Sequence, residues 1–254
     1  MVSKPFSIGL RIEHLQKNIN QAQYGAFWNN PKLGAAKYKL VEHIEGERPV
    51  YTFCMCPGGL VVGATSEPEA VVTNGMSLYA QNNTNSNSAL LVPVSASDFG
   101  SDHPLAGIEF QRFWEKKAFL LGGANYQAPA QLVGDFLKNK PSTKLGELIP
   151  SYLPGIKLGT IDACLPDYVI RSIRKALPKM NSKIKGFAHP EAILTAVETR
   201  TSSPLRILRN ESHQSNIKGL YPCGEGAGYA GGIVSSAVDG LSVAEAIIKK
   251  YEKN

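Results

Sequence analysis

The sequence predicts an α+β protein: a mostly antiparallel sheet or barrel-like unit, a helical subregion, and a closing strand–helix. Three observations carry that prediction. Alternating or β-branched apolar runs crowd the first hundred positions, with Gly- and Pro-bearing turns between them. From position 107 the apolar spacing changes to the three-and-four repeat of a helix. The last stretch passes from an extended segment through a glycine-rich loop into a smooth helix-forming run.

Taken in order, FSIGLRIE (6–13) alternates as a strand. YKLVEHI (38–44), RPVYTFCM (48–55) and GLVVGAT (59–65) follow, and the turn chemistry of Pro57-Gly58-Gly59 makes a hairpin of the last two. SALLVPVSA (88–96) is a further strand, which Pro93 assigns to an edge or a bulge. GIEFQRFWEKKAFLLG (107–122) is a helix stopped by Gly122-Gly123, and APAQLVGDFL (128–137) is a shorter one. Prolines break residues 141–156 into turns. LPDYVIRSIRKAL (165–177) is a third helix with Pro166 near its first turn. Residues 198–206 are extended, 219–222 form a last strand, and 235–251 the last helix.

With 254 residues, 43% hydrophobic and 19% charged, the chain has material for a real core as one large domain or two modest ones, which excludes wholesale disorder. Four scattered cysteines make no disulfide framework and point to a reducing compartment, the cytoplasm. No apolar run approaches a membrane span, and the first ten residues lack the apolar stretch of a signal peptide. The net charge of +6 is spread along the chain, with only doublets such as Lys116-Lys117 and Lys249-Lys250. That is a solvated surface rather than a nucleic-acid footprint, and the surplus suits an anionic ligand.

The chemistry-bearing stretch is GLYPCGEGAGYAGGI (219–233). Gly224-Glu225-Gly226-Ala227-Gly228 gives G-x-G-x-G and not the G-x-G-x-x-G of a dinucleotide fingerprint, and no βαβ unit follows it. The loop is therefore not where an ADP moiety is gripped. A short strand, a Gly-Glu pair and a glycine-rich helix start resemble the close of the cofactor domain in many FAD oxidoreductases. There the acid meets the ribityl–pyrophosphate region and the helix N-terminus faces the flavin pyrimidine. Helix N–H groups stabilise the negative charge of reduced flavin, and glycines let the backbone approach the ring edge.

Further stretches extend the resemblance: KPFSIGLRIEH (4–14), VYTFCMCPGGLVV (50–62), VVTNGMS (71–77) and ETRTSSPLRI (198–207). In this order they resemble a family of bacterial FAD-dependent dehydrogenases related to the HI0933-like flavoproteins, over essentially the whole chain. The resemblance implies that residues 1–205 are a substrate-type domain, strand-rich over 1–100 and helical over 105–190. Residues 206–254 would be the closing segment of a Rossmann-type FAD-binding domain. The N-terminal, ADP-binding Rossmann region that such proteins carry is absent, so FAD binding by this chain alone is expected to be weak or nil.

The cofactor-binding candidates are Gly224, Glu225, Gly226, Ala227, Gly228, Tyr229, Gly231, Gly232 and Ile233. Tyr229 either stacks near the ring or fills a gap beneath the helix. Cys54 and Cys56, two apart on a strand, share one face, as inert thiols or as a redox or substrate-facing pair. Their spacing does not suit zinc, and no metal site is expected. Asn74 is either a hairpin turn residue beside Gly75 or a site wall. Residues 82–88 (NNTNSNS) read as a loop. On an extended segment Glu198, Arg200 and Ser202 share a face. Arg200 either stabilises reduced flavin or clamps a carboxylate, the alternative being an internal pair with Glu198. The expected function is that of the C-terminal part of a FAD-dependent oxidoreductase, its ligands a flavin and a small-molecule substrate. The alternative is a non-enzymatic partner of a separately encoded Rossmann half, or an inactive remnant.

Overall fold

The computed structural model describes residues 1–252. In chain order its strands are β1 (Val2–Ser3), β2 (Phe6–Leu15), β3 (Val41–Glu42), β4 (Val50–Cys56), β5 (Gly59–Gly63), β6 (Thr73–Ser77), β7 (Asn85–Val94), β8 (Ala128–Leu132), β9 (Ile156–Leu158), β10 (Ile193–Glu198) and β11 (Leu205–Arg206). Its helices are α1 (Gln16–Tyr24), α2 (Ala106–Leu121), α3 (Val133–Leu137), α4 (Asp167–Lys183) and α5 (Ile233–Tyr251). The fold is α+β around a mixed seven-stranded sheet of order β3-β4-β7-β2-β10-β8-β9, in which β8 and β9 are parallel. No closed barrel is present among the described residues. None of the described helices is long and apolar enough to cross a membrane.

The chain divides into two compact units. One comprises Ile8–Pro93 and Arg112–Thr199 and holds most of the large sheet. Its central strand β2 is buried along its whole length, because both faces are covered. Ile8, Leu10 and Ile12 make one face, and Arg11 and Glu13 lie on the other. Helix α4 buries Val169, Ile170, Ile173, Ala176, Leu177 and Met180, a single stripe at helical spacing, and contacts β3 and β4. Each of these side chains larger than Ala176, fully withdrawn from water, contributes about 1.5–3 kcal/mol. Strands β5 and β6 pair only with each other, and β6 contacts β4 and β10.

The other unit comprises Met1–Ser7, Val94–Gln111 and Arg200–Asn254. It holds the β1–β11 ribbon, a cluster of Phe6, Phe99 and Phe110, the glycine loop and α5. Helix α5 buries Val243, while Val234, Val238, Leu241 and Ile248 stand more than half exposed along one side.

Several expectations are corrected. Strand β5 does not form a hairpin with β4: the Pro57-Gly58-Gly59 turn leads the chain off the large sheet, and β5 pairs with β6. Asn74-Gly75 is inside β6 rather than a turn. The end of the polar run 82–88 is strand, since Asn85, Ser86, Asn87 and Ser88 open β7. That strand is interior; Pro93 lies beyond its pairing with β4, where its carbonyl accepts from Arg48 Nη1 at 2.8 Å. Residues 128–137 are a strand followed by one short helix, because Ala128 and Ala130 are buried between β10 and β9. Residues 219–222 are not a strand: Leu220 N–H closes a turn onto the Ile217 carbonyl. Beyond Glu198 the chain leaves β10, so Glu198, Arg200 and Ser202 do not share a strand face.

Candidate functional site

The glycine loop is held by contacts its motif does not reveal. Arg209 reaches both oxygens of Asp239, on α5, and donates to the Pro222 carbonyl at 2.8 Å. Gly224 N–H donates to Asp239 Oδ2 at 2.8 Å. The side-chain bond with Arg209, helped by the Gly224 N–H, holds the Asp239 carboxyl down at about 2. The Arg209 guanidinium also lies 3.6 Å from the centre of the Tyr229 ring, and the Tyr229 hydroxyl donates to the Ile207 carbonyl at 3.1 Å. Tyr229 thus packs within its own unit as the keystone of the loop.

Two glycines of the loop answer to geometry. Gly228 has φ +84°, and a Cβ there would lie 2.4 Å from the Leu205 carbonyl oxygen. Gly224 also has positive φ, at +70°. A Cβ on Gly226 or Gly231 would meet nothing within 4 Å, and one on Gly232 only Ser235 Oγ at 3.6 Å. Ala227 is buried; Glu225 and Ile233 are exposed. Helix α5 follows Gly232, its N-cap, with no side-chain cap and no acid in its first turn, which leaves its leading N–H groups without a side-chain partner.

In the other unit, the polar face of β2 carries a buried network. Arg11 Nη1 donates to the Cys54 carbonyl at 2.9 Å and to Asn87 Oδ1 at 3.2 Å; Nη2 donates to Asn74 Oδ1 at 2.8 Å. Its Nε and Nη2 meet Glu198. Glu13, on the same face, accepts from Asn85 Nδ2 at 2.8 Å and from both the hydroxyl and the N–H of Ser151. Burial pushes the Glu198 carboxyl up to about 7 against the pull of Arg11, and it pushes Glu13 up against the bonds of Ser151 and Asn85. Gly75 lets β6 lie on this network: a Cβ there would sit 2.3 Å from Asn87 Oδ1 and 2.6 Å from Arg11 Nη1.

This network gathers Cys54, Cys56 and Asn74, though not as their spacing suggests. A register shift between Phe53 and Cys56 breaks the alternation. Cys54 takes φ +43° and is exposed, while Cys56 is buried and donates its thiol to the Cys54 carbonyl at 3.2 Å. Burial raises the Cys56 thiol, with Arg11 opposing. The guanidinium that meets Glu198 is Arg11. Arg200 is half-buried in the unit of the glycine loop, where Ser202 Oγ accepts from Lys4 Nζ at 3.2 Å. Motif reading missed Arg11, Glu13, Arg209 and Asp239. Asp239, the lone acid in the first half of an apolar helix, was the available signal.

Residues 5–201 match the family described as FAD-dependent protein, C-terminal domain-like. An uncharacterized protein of Clostridium beijerinckii is 56% identical over 254 residues, covering 99% of this chain and 48% of the relative. The chain thus spans about half the length of the curated relative it matches.

Proposed function

Because the chain belongs to the FAD-dependent protein family that its residues 5–201 match, we propose that it forms the substrate side and flavin-ring side of a dehydrogenase-like FAD-dependent oxidoreductase. On this reading residues 1–205 are the substrate-type domain and 206–254 close the FAD-binding domain. A further region, not among these residues, grips the ADP moiety. The observation that carries the reading is the start of α5, whose leading N–H groups have no side-chain cap and where a Cβ on Gly231 or Gly232 would meet no backbone within 4 Å outside the adjacent residues. Such donors favour an anionic ring edge.

Bound FAD supplies the redox chemistry; the chain supplies binding, orientation and electrostatics. Gly224, Glu225, Gly226, Ala227, Gly228, Tyr229, Gly231, Gly232 and Ile233 would hold the flavin. The Arg209–Asp239 pair fixes their backbone. Cys54, Asn74, Arg200 and Ser202 would face substrate or flavin, with Cys56 behind Cys54. A second reading, a non-enzymatic partner subunit or inactive remnant, draws on the same exposed side of α5, which any covering chain would bury.

The test is flavin absorbance after gel filtration, for the chain alone and for a chimera in which it replaces the matching half of the Clostridium beijerinckii relative. The expected result is a colourless chain and a yellow chimera. A folded chimera that stays colourless favours the remnant. Stoichiometric FAD on the chain alone overturns the need for a second region.

A further inference from the structure

Beside the glycine loop, Lys4 and Arg206 flank the β1–β11 ribbon with no carboxylate in ion-pair contact among the described residues. Lys4 Nζ donates only to neutral oxygens: Ser202 Oγ at 3.2 Å, the Pro5 carbonyl at 3.3 Å and the Ser203 carbonyl at 3.4 Å. Arg206, on β11, donates through Nε to the Gly228 carbonyl at 2.9 Å and lies 5.1 Å from the centre of the Tyr229 ring. Neither forms an ion pair with a carboxylate among the described residues, whereas Arg209 next along is fully paired with Asp239. Both are half-buried.

The two charges feel each other. Burial lowers the Lys4 ammonium from its usual range, the like charge of Arg206 lowers it further, and the charge of Glu225 opposes both. Placing two cations side by side is unfavourable, and the fold does not relieve it with a carboxylate in contact. The pair is held rather than incidental. β1 pairs with β11 so that Val2 faces Arg206 and Ser3 faces Leu205, and Lys4 N–H donates to the Pro204 carbonyl at 2.9 Å. Gly228 is pressed onto Leu205 and Arg206 from the loop side.

We propose that Lys4, Arg206 and Ser202 form an oxyanion site beside the glycine loop, taking a phosphate or carboxylate group. Arg206 has spent Nε on Gly228 and keeps both terminal nitrogens, a fork that suits two oxygens; Lys4 adds a point charge, and the Ser202 hydroxyl a donor. The inference rests on two neighbouring cations with no carboxylate in ion-pair contact, not on the flavin. The oxyanion could come from the pyrophosphate of a dinucleotide or from the carboxylate of a substrate.

The experiment uses the 254-residue chain with inorganic pyrophosphate in one arm and malonate in the other, at constant ionic strength set with sodium chloride. Thermal melting and amide chemical shifts are the readouts. At least one anion is expected to raise the melting temperature and shift amides of residues 202–206 and 228. Lys4→Gln and Arg206→Gln are each expected to weaken binding at least fivefold, and Ser202→Ala less. Arg206→Lys, which keeps the charge, covers the case in which Arg206→Gln fails to fold. Preference for pyrophosphate assigns the site to the cofactor side, and preference for malonate to the substrate side. Responses to both anions no larger than to chloride, or equal in the Lys4→Gln and wild-type chains, overturn the proposal. A chimera without flavin whose anion response persists would sink the flavin reading alone.

Discussion

Glu198 meets Arg11 through both Nε and Nη2, at a place where both side chains are buried. The pair ties β10 to β2 across a register shift, and through Arg11 it reaches the Cys54 carbonyl, Asn74 and Asn87. A buried ion pair of this kind contributes little net stability as a whole and costs much when halved.

The first prediction concerns pH. Burial raises the Glu198 carboxyl from 4.5 to about 7 in the folded chain. Between those values the folded state binds more protons than the unfolded one. The stability owed to protonated Glu198 is therefore complete below the unfolded value and lost as pH rises through the folded one. Glu198→Gln cannot titrate, so its stability relative to wild type should improve from pH 4.5 to pH 8, by more than about 1 kcal/mol. Urea denaturation of both proteins across this range checks it, and the opposite trend would show Arg11 keeping the carboxylate ionised. The difference cancels His14, which burial holds near 4 and whose contribution runs the other way, lost as pH falls from 6.5 to 4.

Gly75→Ala should destabilise the chain by about 2 kcal/mol or more, since its methyl overlaps side chains locked in the Arg11 network. The backbone at Gly75 is not left-handed, so the cost is steric alone. A wild-type melting curve for this variant would mean that β6 lifts off the sheet freely.

The loop glycines should part company. Gly228→Ala combines a left-handed φ with a 2.4 Å overlap and should melt well below wild type. Gly231→Ala and Gly232→Ala meet no close contact and should be as stable as wild type or gain about 0.4–1 kcal/mol. In the chimera these two should nevertheless retain less flavin. Early melting with normal flavin retention would assign Gly231 and Gly232 to packing.

Leu241→Lys, on the exposed side of α5, should leave the isolated chain within about 0.5 kcal/mol of wild type. In the chimera the same change should lower the melting temperature and the bound flavin together. Equal behaviour in both settings would show that nothing covers this side of the helix.

The alternation of β2, the periodicity of α2 and α4, and the run into α5 were legible because each is a local pattern written by one face meeting a core. The pairing of β5 with β6 was not, since the turn at Pro57-Gly58-Gly59 suits either a hairpin or an exit from the sheet. Residues 128–137 misled because Ala, Gln and Leu favour helix, and burial between two strands overrode that preference. In the site, the glycine motif marked the loop, but no motif distinguishes Gly228, fixed by its own backbone, from Gly231, which is not. Arg11 and Glu13 alternate with apolar residues as solvent-facing residues do, and only the layer laid over them by β6 and Ser151 makes them a buried network.

The β1–β11 ribbon joins Val2 and Ser3 to Arg206 and Leu205, so about two hundred residues separate the partners. At a translation rate of roughly 5–20 residues per second, the first strand waits about 10–40 seconds for its mate to leave the ribosome. During that interval the Phe6 end of β2 has no Phe110 until the middle of the chain emerges, and Lys4 has no Pro204 to bond. Of the two units, the one bearing the glycine loop is thus completed later, after every strand of the large sheet has been synthesised.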